Sequence, residues 1–258
     1  MSATVAGLAL APVKGMRLTP VEVLELDATG ARGDRAFLVV DPADHKLLLT
    51  TRNPRLTQIA PRWDPATRTL SLAFPDGTTV SQVAEPGEPA TTANYAGRPI
   101  RGRLVPGPLA EAVSAHLGRP VALLARAEDE RGADDSPVTL MSAASLAALA
   151  PALDGEVPDG RRFRMTIAID GVAAWEEHGW GGHEIAVGDA VLRGTEPVRR
   201  CVVTTRDPDD GHRDAPVLEA LARLRGKGDV SFGLWCEVMR PGRVRVGDAV
   251  QAPGRSPL

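Results

Sequence analysis

Apolar and polar positions alternate with a period of two over many short stretches of this chain, and recur near a period of four in only a few. In "VEVLEL" (21–26) and "TLSLAF" (69–74) apolar and polar residues alternate, as in a strand with one face on a core and the other toward water. "VAGLALAPV" (5–13), "RAFLVVDPADHKLLLT" (35–50) and "LTQIAP" (56–61) are apolar runs of strand length, bounded by Asp, Pro and Gly. Such spacing over the first hundred residues predicts an antiparallel barrel or sandwich. "DPAD" (41–44), set between two apolar runs, predicts a hairpin, since proline there favours a turn.

Beyond an irregular, Pro- and Gly-rich stretch from Val83 to Pro108, "GPLAEAVSAHLG" predicts the first helix. Leu109, Val113 and Leu117 share a face and Gly118 stops it. A strand "PVALLA" follows, then the charged "RAEDERGADDSP" (126–137), which reads as an exposed loop or acidic rim. In "TLMSAASLAALAPAL" Ser142 is placed to cap a helix that Pro151 closes. Strands are expected again in "RMTIAID", "HEIAVGDAVLRG", "VRRCVVTT", "SFGLWCEVM" and "VRVGDAV". Among them "DAPVLEALARLRG" predicts a helix with Asp214 as cap and Val217, Leu221 and Leu224 on one face. The two "VGDAV" copies, from Val187 and Val246, read as Gly-Asp turns feeding strands rather than a repeat. The fold class is therefore mainly β with some α.

A length of 258 residues allows one large domain or two ordinary ones. With Lys+Arg 30 against Asp+Glu 33 the net charge is -3, which excludes the overall basic excess of a general nucleic-acid binder. No apolar run approaches the roughly 20 residues that span a bilayer. "MSATVAGLALAPVKGM", broken by Pro12 and Lys14, reads as neither signal peptide nor anchor. Two cysteines form neither a disulfide framework nor a zinc pattern, so a reducing, cytoplasmic location is expected.

The candidate chemistry lies in "EPVRRCVVTTRDPDDG" (196–211). A cysteine in a β-branched run is commonly a small buried hydrophobe, and Cys236 in "FGLWCEV" is read so. Cys201 differs because Arg199 and Arg200 precede it, and neighbouring positive charge favours the thiolate that binds soft metals or attacks electrophiles. Strand alternation would put Arg199 on its face. A hydrolase pairing with His178, His183 or His212 is the competing chemistry, though no protease-like sequence surrounds the cysteine.

Six segments, in order, resemble the MOSC-domain family in its two-domain form, that of the mitochondrial amidoxime reducing component and its bacterial relatives. They are "PVKGMRLTPVEVLELDATGARGDRAFLVVD", "LTTRNPRLTQI", "SPVTLMSAASLAAL", "RRFRMTIAIDG", "RCVVTTRDPDDG" and "FGLWCEVMRPGRVRVGDAV". The fifth is similar to the family signature Cys-x-x-Thr-Thr-x-Asp-Pro-x-x-Gly. The resemblance implies a β-barrel-like N-terminal domain over 1–120 and a β-barrel MOSC domain with a few flanking helices over 121–258.

It further implies a molybdenum cofactor (Mo-molybdopterin), with Cys201 as the metal thiolate and catalytic residue. Lys14, Arg35, Ser142, Arg164, Thr166, Arg200 and Thr204 would bind the cofactor. An arginine fork suits its phosphate. Asp207 would either tighten the turn after the cysteine or face the substrate as a second catalytic residue. Gly15 and Thr166 depart from the family's serine and asparagine at those places, Thr166 keeping a hydroxyl but losing an amide.

The implied activity is two-electron reduction of N-hydroxylated or N-oxide small molecules. Electrons would come from separate flavin reductase, ferredoxin or cytochrome-type donors, since the chain has no ferredoxin cysteine spacing. A persulfide or cofactor carrier built on the same cysteine is the alternative. Neither nucleic acid nor membrane is expected as a partner.

Overall fold

The two longest strands, Ala190–Arg199 and Ser231–Arg240, pair antiparallel through several register shifts and form the spine of a closed barrel. This is a computed structural model, and it describes residues 2–130, 134, 136–251 and 253. Around the barrel the order is Ile167–Asp170, Val138–Ser142, Ser231–Arg240, Ala190–Arg199, Glu184–Val187, Ala249–Gln251 and Ala3–Leu10. Ala3–Leu10 then pairs back onto Ile167–Asp170 and closes seven strands. All neighbours are antiparallel except Val138–Ser142 and Ile167–Asp170, a parallel pair joined by the crossover containing helix Ala143–Ala147. Val5, Leu140, Ile167, Ile185, Leu192 and Leu234 are fully or almost fully buried in its core. Each contributes on the order of 1.5–3 kcal/mol by leaving water.

A four-stranded sheet, ordered Phe37–Val40, Ala122–Arg126, Pro99–Val105 and Pro89–Ala93, forms beside it with a three-stranded meander, Ala60–Asp64, Thr69–Ala73 and Thr79–Val83. Phe37, Leu56, Ile59, Leu72, Leu109 and Val113 share the second core. The two regions are interlaced. The N-terminal strand Ala3–Leu10 belongs to the barrel, while Ala122–Arg126 completes the sheet of the first half. Val23–Asp27 pairs with Gly242–Arg245 from the far end of the chain.

Mainly β architecture with a few helices is what the patterning predicts. The alternation of "TLSLAF" buries Leu70 and Leu72 on one face. The first helix is Pro108–Leu117, stopped at Gly118 with φ 70, and it buries Leu109 and Val113. The hairpin around 41–44 closes through Asp41 N–H to Lys46 O at 2.9 Å and Leu48 N–H to Val39 O at 2.9 Å. Its second arm makes only the bridge from Leu47 to Val40. Both Gly-Asp turns form, with φ 54 at Gly188 and φ 90 at Gly247. Ser142 is an N-cap, its hydroxyl accepting from Ser145 N–H at 3.2 Å.

Several local expectations fail. Pro54–Gln58, reaching into the run expected as a strand, is a 3-10 turn, and helix Ala143–Ala147 ends before Pro151, which lies in the separate 3-10 turn Ala150–Ala152. Helix Val217–Arg225 has Pro216 at its N-cap, because Asp214 is drawn into a bidentate pair with Arg162 at 2.7 and 2.6 Å. Leu224 stays exposed; Val217, Ala220 and Leu221 are the buried residues of that helix. The strand expected over 198–205 ends at Arg199, and Val202–Thr205 is a 3-10 turn. There the threonine hydroxyls satisfy carbonyls three residues back, Thr204 Oγ1 to Cys201 O at 3.0 Å and Thr205 Oγ1 to Val202 O at 2.8 Å. Local side-chain bonding of this kind outweighs β-branched propensity.

Candidate functional site

Lys14, Arg35 and Arg164, each brought by a different segment, gather around Asp134, and Arg200, within reach of the same charges, adjoins the exposed Cys201. Lys14 follows the first barrel strand, anchored by its N–H to Phe37 O at 2.9 Å. Arg35, nearly buried, has φ 47 and donates its N–H to Ala11 O at 2.8 Å. Arg164, with φ 53, follows the 3-10 turn Gly160–Phe163, which Asp159 caps. Arg200 follows the strand Ala190–Arg199, its N–H bonded to Val230 O at 3.1 Å. Left-handed backbone at two non-glycine residues is strained, and such strain gathers at functional sites.

Among the described residues two carboxylates face these cations. Asp134 pairs with Lys14 Nζ and lies 3.2 Å from Arg35 Nε. Asp34 pairs with Arg35 Nη1 and accepts from Ala11 N–H at 2.7 Å. Burial alone would raise the Asp134 carboxyl, but the charges of Lys14 and Arg35 hold it well below the usual carboxylate range. Burial likewise pulls Arg35 down, and Asp34 and Asp134 overcome it and push it up.

The remaining two guanidiniums are poorly compensated. Burial, then the charge of Arg35, brings Arg164 down to about 10. Burial also dominates at Arg200, which falls to about 9 despite the opposing pull of Cys201 and Asp134. Among the described residues Arg164 Nη2 and Arg200 Nε are buried with no hydrogen-bond partner. Orphaned donors of this kind are uncommon inside proteins. Both groups stay charged near neutral pH.

Arg200 is fixed by its surroundings. Its Nη2 donates to Phe163 O and Met165 Sδ, both at 2.7 Å, and its guanidinium lies 5.4 Å from the Phe163 ring centroid. That ring stacks on Phe232 at 3.9 Å. Arg199, expected beside the sulfur, is instead exposed and bonded to Gly228 O at 3.2 Å. The strand ends before alternation can carry it there.

Cys201 is the exposed cysteine and occupies the N-cap position of the 3-10 turn. Thr204 holds its carbonyl. Cys236 is buried in the barrel, where burial pushes its thiol up. Among the described residues no histidine bonds the Cys201 sulfur. His178 Nε2 accepts from Gly233 N–H at 3.1 Å and His183 Nδ1 faces Gly181 O at 3.0 Å. Burial, followed by the charge of Arg225, lowers His178 to about 4, leaving it neutral.

Other residues singled out in the sequence fall in different places. Thr166 lines the pit beside Arg35, its hydroxyl 3.1 Å from that of Thr139 and its N–H bonded to Thr139 Oγ1 at 2.8 Å. Ser142 stands apart, fully buried, its hydroxyl used as a cap and its N–H given to Glu177 at 3.3 Å. The Asp207 carboxylate shapes its own turn, accepting from Asp209 and Asp210 N–H at 2.7 and 3.1 Å. Asp34, Arg126, Asp134, Ser136 and Thr139 also line the pit, and none was singled out from sequence. Asp134 lies in the expected acidic rim, of which residues 131–133 and 135 fall outside the described residues.

The MOSC N-terminal beta barrel domain matches residues 2–118, and the MOSC domain matches residues 127–251. Mitochondrial amidoxime-reducing component 1 of Homo sapiens is 31% identical over 98% of this chain and 83% of that protein. This chain belongs to the MOSC family. The MOSC chain is also 29% identical to mitochondrial amidoxime-reducing component 1 of Mus musculus, over 98% of its own length and 83% of the relative's. Among solved structures, the YUAD protein from Bacillus subtilis aligns with 97% of the MOSC chain and 94% of its own, with TM-score 0.49 and 14% identity.

Proposed function

We propose that the protein binds a molybdenum cofactor, Mo-molybdopterin, and reduces N-hydroxylated or N-oxide compounds. The observation that carries this reading is the pairing of one exposed cysteine with a partly buried cation cluster in which, among the described residues, Arg164 Nη2 and Arg200 Nε have no hydrogen-bond partner. An anionic group with a soft metal fits that donor set. Lys14, Arg35 and Arg164 would hold the phosphate, where planar guanidinium forks bind two oxygens at once. The hydroxyls of Thr139 and Thr166 and the carboxylates of Asp34 and Asp134 would meet the pterin, which has both acceptor and N–H donor groups. Arg200 sets the field beside Cys201, the protein thiolate for the metal, and Thr204 fixes the cysteine backbone.

The cofactor, when bound, supplies the two-electron chemistry. The chain's own contribution is ligation, charge and access. Residues 1–120 supply Lys14 and Arg35, and residues 121–258 supply Asp134, Arg164, Arg200 and Cys201, so the site depends on both parts. Electrons come from separate donor proteins. Among the described residues no helix is long and apolar enough to cross a membrane. The exposed thiol of Cys201 suits a reducing compartment, and on that ground we assign the protein to the cytoplasm.

Asp207 acts here through its turn. The test is turnover of a panel of amidoximes and hydroxylamines by cofactor-loaded protein with a chemical reductant. Wild type should turn over and Cys201→Ala should not; equal rates would overturn the assignment.

A further inference from the structure

Two of the anion-holding arginines sit in left-handed backbone, Arg35 at φ 47 and Arg164 at φ 53, and each has its carbonyl held by another arginine. Arg35 Nη2 donates to Arg164 O at 3.3 Å. Arg126 Nε donates to Arg35 O at 3.3 Å. Arg126 sits at the end of strand Ala122–Arg126, where its own N–H bonds Ala36 O at 2.8 Å and fixes it beside the bend. Its remaining donors reach Asp34 O at 3.4 Å and Glu130 O. One guanidinium therefore grips the consecutive carbonyls of Asp34 and Arg35, and Arg35 grips the carbonyl of Arg164.

We propose that Arg126 is a positioning residue for the anion site, holding Arg35 and through it Arg164 in the conformation that aims both guanidiniums at the ligand. The proposal rests on the cofactor reading only in naming the natural ligand; the relay itself is a matter of anion binding. An arginine is needed because its planar fork reaches several carbonyls together. A lysine ammonium on a flexible stem cannot hold them in one geometry. Burial lowers Arg126, and the nearby carboxylates only partly offset this.

The test is calorimetric titration of pyrophosphate into cofactor-free wild type, Arg126→Gln, Arg126→Lys, Arg35→Gln and the Arg35→Gln/Arg126→Gln double variant. Outer-shell partners that orient binding groups typically matter about tenfold or more in affinity. Arg126→Gln should therefore bind about tenfold more weakly than wild type, Arg126→Lys should not rescue it, and the double variant should bind no more weakly than Arg35→Gln alone. Affinity within twofold of wild type in Arg126→Gln, or losses that multiply in the double variant, would overturn the proposal. Should Arg126→Gln fail to fold, Arg126→Lys carries the same comparison. Molybdenum content of the same proteins from a cofactor-making host separates the two claims. Wild type lacking metal while the pyrophosphate losses hold would sink the cofactor reading and keep Arg126. Wild type loaded with metal, with pyrophosphate affinity unchanged in Arg126→Gln, would do the reverse.

Discussion

Replacing Asp134 by asparagine removes the carboxylate that faces Lys14 and Arg35 and lies within the field of Arg164. The amide keeps the shape and loses the charge, so among the described residues Asp34 is the carboxylate left facing the cation cluster. Breaking a buried ion pair costs about 3–5 kcal/mol. With the Asp134 side chain 25% exposed and Asp34 still present, the lower end applies, about 3 kcal/mol. For a chain of this size that lowers Tm by about 6–12 °C, at roughly 2–4 °C per kcal/mol.

An added anion should repair the loss, since a ligand at about 100 times its Kd contributes about 2.7 kcal/mol. Thermal melts of wild type and Asp134→Asn, with and without pyrophosphate, measure both effects. The variant should melt lower and be raised more by the anion. Because the folded carboxyl is held below its ordinary value, its stabilisation is full above about pH 4 and is lost as pH falls further. The gap between the two proteins should therefore be constant from pH 5 to 7 and shrink in stronger acid. Equal Tm values, together with equal responses to pyrophosphate, would refute the account of Asp134 as counter-charge to the cluster.

Phe163→Ala removes a ring that is 1% exposed, stacked on Phe232 and lying beneath Arg200. Urea unfolding should show a loss of about 3–5 kcal/mol, whereas a loss under 1 kcal/mol would mean that the stack is not a closed part of the core. Glu177, fully buried against Ser142 N–H and Ser145 Oγ, has its carboxyl raised by burial against the pull of those hydrogen bonds. A raised acid makes the folded state bind more protons than the unfolded one, so wild type loses stability as pH climbs above about 4.3. Glu177→Gln should gain on wild type across that climb in denaturant midpoints taken at successive pH values, and a difference independent of pH would contradict the shift.

Strand patterning was readable where one face meets a core, as in Thr69–Ala73 with Leu70 and Leu72 buried. Closure of the barrel by Ala3–Leu10 against Ile167–Asp170 was not, because pairing across so long a separation leaves no local signal. The same limit hid the site's charge balance. Asp134 stands in an acidic run that reads as solvated surface, and only the fold turns it toward Lys14 and Arg35. Arg126 looked like the first residue of that loop, yet it closes a strand and lines the pit. Local rules also placed Arg199 beside Cys201, whereas the strand ends early and Arg200 takes that place. Ser142, by contrast, was legible as a cap because its role needs only its own helix.

The central claim is that Cys201, adjoining Arg200 of this cation cluster, is a thiolate ligand of a pterin-bound molybdenum. Its most direct test is elemental analysis for molybdenum, with fluorescence of the oxidised pterin, on wild type and Cys201→Ser made in a host that synthesises the cofactor. Near-stoichiometric metal and pterin in wild type, with metal sharply reduced in the variant, is the predicted result. Absence of both from wild type, or equal metal in the two proteins, would contradict the claim.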